Sequence, residues 1–142
     1  MGSISKFNSL STTYVNSEHA SDNFYECKNI YAGSFHKNPC SSVMFKSLLQ
    51  FDLYNLEPRP LAYAYLCLYV KDINSDTSYY SNNTLSVYRN ISDYDSQTVT
   101  WNTTPETDSV IRLNIPASDI KNYIKINITS IVNSWIKDSS NY

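Results

Sequence analysis

The stretch Leu61–Val70, LAYAYLCLYV, places Ala62, Ala64, Leu66, Leu68 and Val70 at every second position, with Tyr63, Tyr65, Cys67 and Tyr69 between them. A strand throws successive side chains to opposite faces, so this spacing yields one aliphatic and one aromatic face, whereas a helical turn would scatter both sets. The segment reads as a central strand with both faces covered, and Cys67 as a small buried hydrophobe within it. A second run, VMFKSLLQFDL, sets Leu49, Phe51 and Leu53 opposite Gln50 and Asp52, a half-buried strand that ends where Pro58 and Pro60 remove amide donors. Shorter extended pieces are read at STTYV (11–15), NIYAGSF, TLSVYRN, DYDSQTVTWNTTP and SVIRLNI, each bounded by turn residues.

One segment breaks the pattern. In NITSIVNSWI the apolar residues Ile128, Ile131, Val132 and Trp135 recur at helical spacing, and Thr129 is placed to cap a short helix. The expected fold is therefore all-β, an antiparallel β-sandwich of jelly-roll-like type with one short C-terminal helix. A chain of 142 residues fits one domain, read as an N-terminal arm over 1–10 and a single domain over 11–142.

Composition removes several functions. The net charge is −2 with dispersed Lys and Arg, which gives no footprint for nucleic acid, and no apolar run is long enough for membrane insertion. Glycine occurs only at Gly2 and Gly33, too few for phosphate-cradling loops or a nucleophile elbow. His19 and His36 fall in polar stretches without a nucleophile that spacing can pair with them. Asp52 has Lys46 and Arg59 near in sequence and reads as an ion pair or loop anchor. No catalytic residue is assigned, and the chain is read as no enzyme.

For metals, DINSD at Asp72, Asn74 and Asp76 opens like a calcium loop, but Thr77 and Asn83 replace the glycine and glutamate that such a loop requires. No cofactor is expected; calcium held by that loop, or by Asp93 and Asp95, is the minor reading. Cys27, Cys40 and Cys67 follow no metal spacing and leave one thiol unpaired under any connectivity. Sequons at Asn82, Asn90, Asn102 and Asn127 arise by chance in a chain this rich in Asn, Ser and Thr.

Thirteen tyrosines give a surface apolar area with polar tips. Trp101 shares a side with Val99, and Trp135 lies on the helical stripe, so both are read as core. The candidate ligand-binding residues are Tyr63, Tyr65 and Tyr69 on one sheet face, and Tyr79 and Tyr80 in the polar loop that follows.

The segments KSLLQFDL, AYLCLYV, TVTWNTTP and INITSIVNSWIKDSSNY resemble, in order and spacing, the DNRLRE domain family of bacterial surface β-sandwich modules, some of them classed as carbohydrate-binding modules. The likeness runs from about Thr13 onward. The family often carries Trp and Glu where this chain has Tyr94 and Ser96, and usually continues after an Asn-Tyr pair with Gly and a final apolar strand, where this chain stops at Tyr142. Three accounts of that end stay open: a fragment boundary with a frayed edge, back-pairing by SISKFNSL, or donation of a strand by a neighbouring copy.

Two functions follow. The preferred expectation is a structural or adhesive module of a bacterial cell or spore surface, extracellular, with copies of itself or surface proteins as partners. In that reading Ile4 and Leu10 of a donated arm fill pockets, and Cys27 and Cys40 cross-link copies. Its rival, which the resemblance equally implies, is a carbohydrate-binding module of a larger secreted protein, with polysaccharide as partner.

Overall fold

The computed structural model describes residues 5–71, 83–116 and 119–139. It has the expected class, all-β with antiparallel ladders and one short helix near the C-terminal end. The strands are β1 (Ser9–Asn16), β2 (Gly33–Asn38), β3 (Ser41–Phe51), β4 (Tyr65–Tyr69), β5 (Asn83–Asn90), β6 (Thr107–Ile115) and β7 (Tyr123–Asn127), and the helix is α1 (Thr129–Asp138). Among the described residues no helix is long and apolar enough to cross a membrane. The chain divides into two compact units.

The first unit draws on Met1–Glu57 and Asn90–Thr107. Its sheet has the order β1-β3-β2, with β3 in the centre. Thr13 opposes Leu48 and Val15 opposes Lys46, so these four share a face. On that face Val15, which is 0% exposed, packs with Leu48, Tyr94 and Val99, and Trp101 closes over them. The deepest apolar residue of β3 on this side is thus Leu48, on the face of Gln50, while Leu49 and Phe51 of the expected apolar face are half-buried. Burial pushes the Tyr94 hydroxyl up to about 12, with the Asp93 carboxylate adding to the shift.

The opposite face is covered from its own chain. Tyr14 stacks on Phe24 at 4.4 Å and meets Tyr31 edge-on at 5.0 Å, while Asn23 donates to the carbonyls of Ser96 and Val99. β2 begins at Gly33, later than NIYAGSF suggested, because Gly33 turns the chain at φ 132, open to a residue without Cβ. His36 accordingly sits in a strand rather than a loop.

Leu10, expected in a free arm, is the second residue of β1, whose first residue Ser9 pairs with Phe51. The register shifts between Ser9 and Ser11, and the Leu10 side chain is 65% exposed. Ile4 lies outside the described residues.

DYDSQTVTWNTTP does not form a strand. Asp95 accepts from Gln97 N–H through its carboxylate and from Thr98 and Val99 N–H through its carbonyl, and the chain then closes a 3₁₀ turn at Trp101–Thr103. Local side-chain and backbone hydrogen bonds win over the extended pattern there. Val99 is buried all the same, so the expected core role survives a wrong element.

The second unit draws on Pro58–Arg89 and Asp108–Ser140. β4 runs antiparallel to β7, and β5 pairs with β6. Among the described residues β4 pairs with β7 alone, so a central position is not what these residues display. Leu66, Ile124 and Ile126 are buried in this ladder, as are Ile131 and Val132 of α1, and each such side chain contributes roughly 1.5–3 kcal/mol. Cys67 faces the other way and is exposed; the alternation that placed it among tyrosines also placed it outside. Thr129 opens the helix but does not cap it. Its N–H and hydroxyl both donate to Asn127 Oδ1, and its Oγ1 accepts from Ala64 N–H at 2.9 Å.

Arg89 fixes the far end of the unit. Its Nε and Nη2 donate to the two oxygens of Asp108 at 2.7 and 2.6 Å, and Nη1 reaches Asp138 of α1 at 3.3 Å. The guanidinium hydrogen bond holds the Asp108 carboxyl below its ordinary range. A depressed folded value stabilises above the unfolded value and loses that contribution as pH falls through the folded one. Arg89→Met should therefore lower the melting temperature at neutral pH, and the deficit should shrink below about pH 4. Equal deficits across that range in thermal melts monitored by circular dichroism would refute the pairing.

Candidate binding surface

The surface is built by the same alternation that buries one side of the β4–β7 ladder. With Leu66, Ile124 and Ile126 turned inward, Tyr65, Cys67 and Tyr69 of β4 and Tyr123, Lys125 and Asn127 of β7 turn outward. In register, Tyr65 opposes Asn127, Cys67 opposes Lys125, and Tyr69 opposes Tyr123. Tyr63 continues the row beyond the end of β4. Tyr63 and Tyr123 are each 73% exposed, Tyr65 and Tyr69 each 52%.

The rings fall into two groups. Tyr63 and Tyr65 have centroids 6.4 Å apart and planes within 13° of parallel, so they share an orientation. Tyr69 and Tyr123 meet edge to face at 5.2 Å. Between the groups lies the rung of Cys67 and Lys125, a thiol beside an ammonium with three donors.

Tyr63 lies outside the ladder, and its placement comes from the helix. Asn133 accepts from Leu61 N–H at 2.7 Å and donates back to the Leu61 carbonyl at 3.1 Å. On the other side of Tyr63, Ala64 N–H donates to Thr129 Oγ1, and the Ala64 carbonyl accepts from Ile128 N–H at 2.9 Å. Four hydrogen bonds thus clamp Leu61 and Ala64, the residues that bracket the ring. Asn127, beneath the Tyr65 end, is held in turn by both donors of Thr129.

The structure brings Tyr63, Tyr65 and Tyr69 of the expected set together on one face. Tyr79 and Tyr80 lie outside the described residues, as do Asp72, Asn74 and Asp76 of the minor calcium reading. Sequence reasoning missed Tyr123, although YIKIN alternates Tyr123, Lys125 and Asn127 against Ile124 and Ile126 as clearly as β4 does.

The remaining candidates lie away from this face or in local turns. Trp101 is partly buried on the first unit's core, with Lys46 Nζ 4.6 Å from its ring centroid. Trp135 keeps its Nε1 buried. Asp93 and Asp95 each accept a backbone N–H, from Tyr94 and Gln97, and among the described residues no three ligating side chains converge. Asp52 accepts from Tyr54 N–H, a turn anchor, and His19 meets Asp22 at 3.3 Å on the surface. Cys27 and Cys40 are exposed free thiols, Cys27 beside the Tyr14 hydroxyl.

An open row of tyrosines interrupted by amide, ammonium and thiol groups offers apolar ring area to the C–H faces of a pyranose and donors to its hydroxyls. Comparison with curated proteins gives no match. The family model described as carbohydrate-binding module family 96 matches residues 3–142, across both units. By that match, which leaves out only the first two residues, the chain belongs to carbohydrate-binding module family 96.

Proposed function

We propose that this chain is a non-catalytic module that attaches a secreted bacterial protein to polysaccharide through Tyr63, Tyr65, Tyr69 and Tyr123. The observation that carries the reading is the shared outward face of Tyr65, Tyr69 and Tyr123 on a ladder whose other face is buried, with Tyr63 beside Tyr65 continuing the row. Family membership supports the ligand class, and the four segments named from sequence support a DNRLRE-type module within it. The assembly reading has less behind it. Leu10, one of its two insertion residues, already belongs to a strand of its own sheet, and no observation favours a donated strand.

Affinity gel electrophoresis against hydroxyethylcellulose, xylan, galactomannan and polygalacturonate tests the proposal. At least one polymer should retard the chain, and Tyr65→Ala with Tyr69→Ala should weaken that retardation about tenfold, which corresponds to about 1.4 kcal/mol. Because both rings are half exposed, the melting temperature should barely move. Retardation that survives the double substitution would place binding elsewhere.

A further inference from the structure

The tyrosine row has a shape that selects among carbohydrates. Resting on the carbohydrate-binding reading above, we propose that it takes the interior of a linear polysaccharide laid along β4, spanning both ring groups, rather than a chain end or a free sugar.

Length is the first argument. Tyr65 and Tyr69 are four residues apart on one strand, so their Cα atoms are separated by about 14 Å at roughly 3.4 Å per residue, and Tyr63 adds further reach. A single sugar ring meets one ring group and leaves the other in water. Openness is the second. All four rings are at least half exposed, Tyr63 and Tyr123 the most, so among the described residues neither ring group is enclosed by side chains. A site that recognises a chain end must enclose it and distinguish its terminal hydroxyl, and enclosure would bury those two rings. A continuing polymer needs the reverse, free passage at both ends.

The third argument is the division of the row. Two aromatic groups flank the Cys67–Lys125 rung, which supplies polar contacts where the rings are absent. One exposed aromatic contact is weak by itself. When the sugars that meet the two groups belong to one chain, the second contact forms at the high effective concentration set by the first. Affinity must then climb with ligand length until both groups are covered, and level off beyond.

Isothermal titration with cello-, xylo- and manno-oligosaccharides, from disaccharide to hexasaccharide, tests this beside the polymers named above. For the series that matches the retarding polymer, the hexasaccharide should bind about tenfold or more tightly than the disaccharide. Reduction of the terminal sugar to its alditol should leave hexasaccharide affinity unchanged. Tyr63→Ala/Tyr65→Ala and Tyr69→Ala/Tyr123→Ala should each weaken the hexasaccharide while leaving disaccharide binding at the intact group. Threonine pairs at the same positions serve if an alanine pair fails to melt cooperatively.

Equal affinity for short and long oligomers, or dependence on the sugar terminus, overturns the proposal while the binding function stands. Failure of every polymer and oligomer to bind overturns both.

Discussion

Val15→Asp should abolish cooperative unfolding of the first unit, leaving a chain that melts without a sharp transition in that part. Val15 is fully buried between Leu48, Tyr94 and Val99, and an aspartate there meets no cation within the cluster. An uncompensated buried carboxylate costs several kcal/mol, comparable with the whole stability of a small domain, about 5–15 kcal/mol. The positive group on the same face, Lys46, extends over Trp101 at the margin of the core. Val15→Ala serves as the control, since it removes volume without charge and should give a lower but still cooperative transition. A Val15→Asp chain with native-like amide exchange protection across β1 and β3 would show that this cluster does not hold the sheet.

The second large effect is expected from Asn133→Leu. The substitution leaves Leu61 N–H and its carbonyl without their side-chain partner, and each orphaned group costs about 1–3 kcal/mol. Stability should fall by roughly that amount per group. The more telling consequence is at a distance from the helix. Leu61 and Ala64 bracket Tyr63, so releasing Leu61 lets the ring leave the row, and polysaccharide retardation should drop to the level of Tyr63→Ala. Asn133→Asp keeps the acceptor for Leu61 N–H and loses the donor, and should fall between. If Asn133→Leu costs stability yet leaves binding as tight as in the parent, α1 supports the fold without positioning the site.

Much of this organisation was legible from residue order, and the reason differs by element. β4 was readable because its two faces differ in kind, aliphatic against aromatic, so period two shows in the letters. The same reading misjudged Cys67, since hydrophobicity placed it inside while its position among the tyrosines placed it outside. Position decides, because a side chain cannot leave the face its backbone assigns. α1 was legible from its apolar spacing, but its start was not. Thr129 has the chemistry of a cap, and its hydroxyl instead serves Ala64, a partner 65 residues away that no local pattern announces. Asp95 shows the limit from the other side. Its carboxylate and carbonyl form a turn in a run whose composition favours a strand, and a propensity summed over the window overlooks that single anchor. Within the surface, three of the four ring positions were nominated from sequence. The fourth, Tyr123, needed the register that sets β7 against β4.

The ladder of β4 and β7 divides its own residues into two inheritances. Leu66, Ile124 and Ile126 are bound by packing, and few exchanges there leave the sheet intact. Of the six positions facing outward, Asn127 is tied to Thr129 at the start of α1, and the other five answer chiefly to whatever lies against them. If the proposed site holds, a lineage built on this scaffold is free to rewrite its taste for one glycan or another by single exchanges at those five positions, without renegotiating how the molecule stays folded.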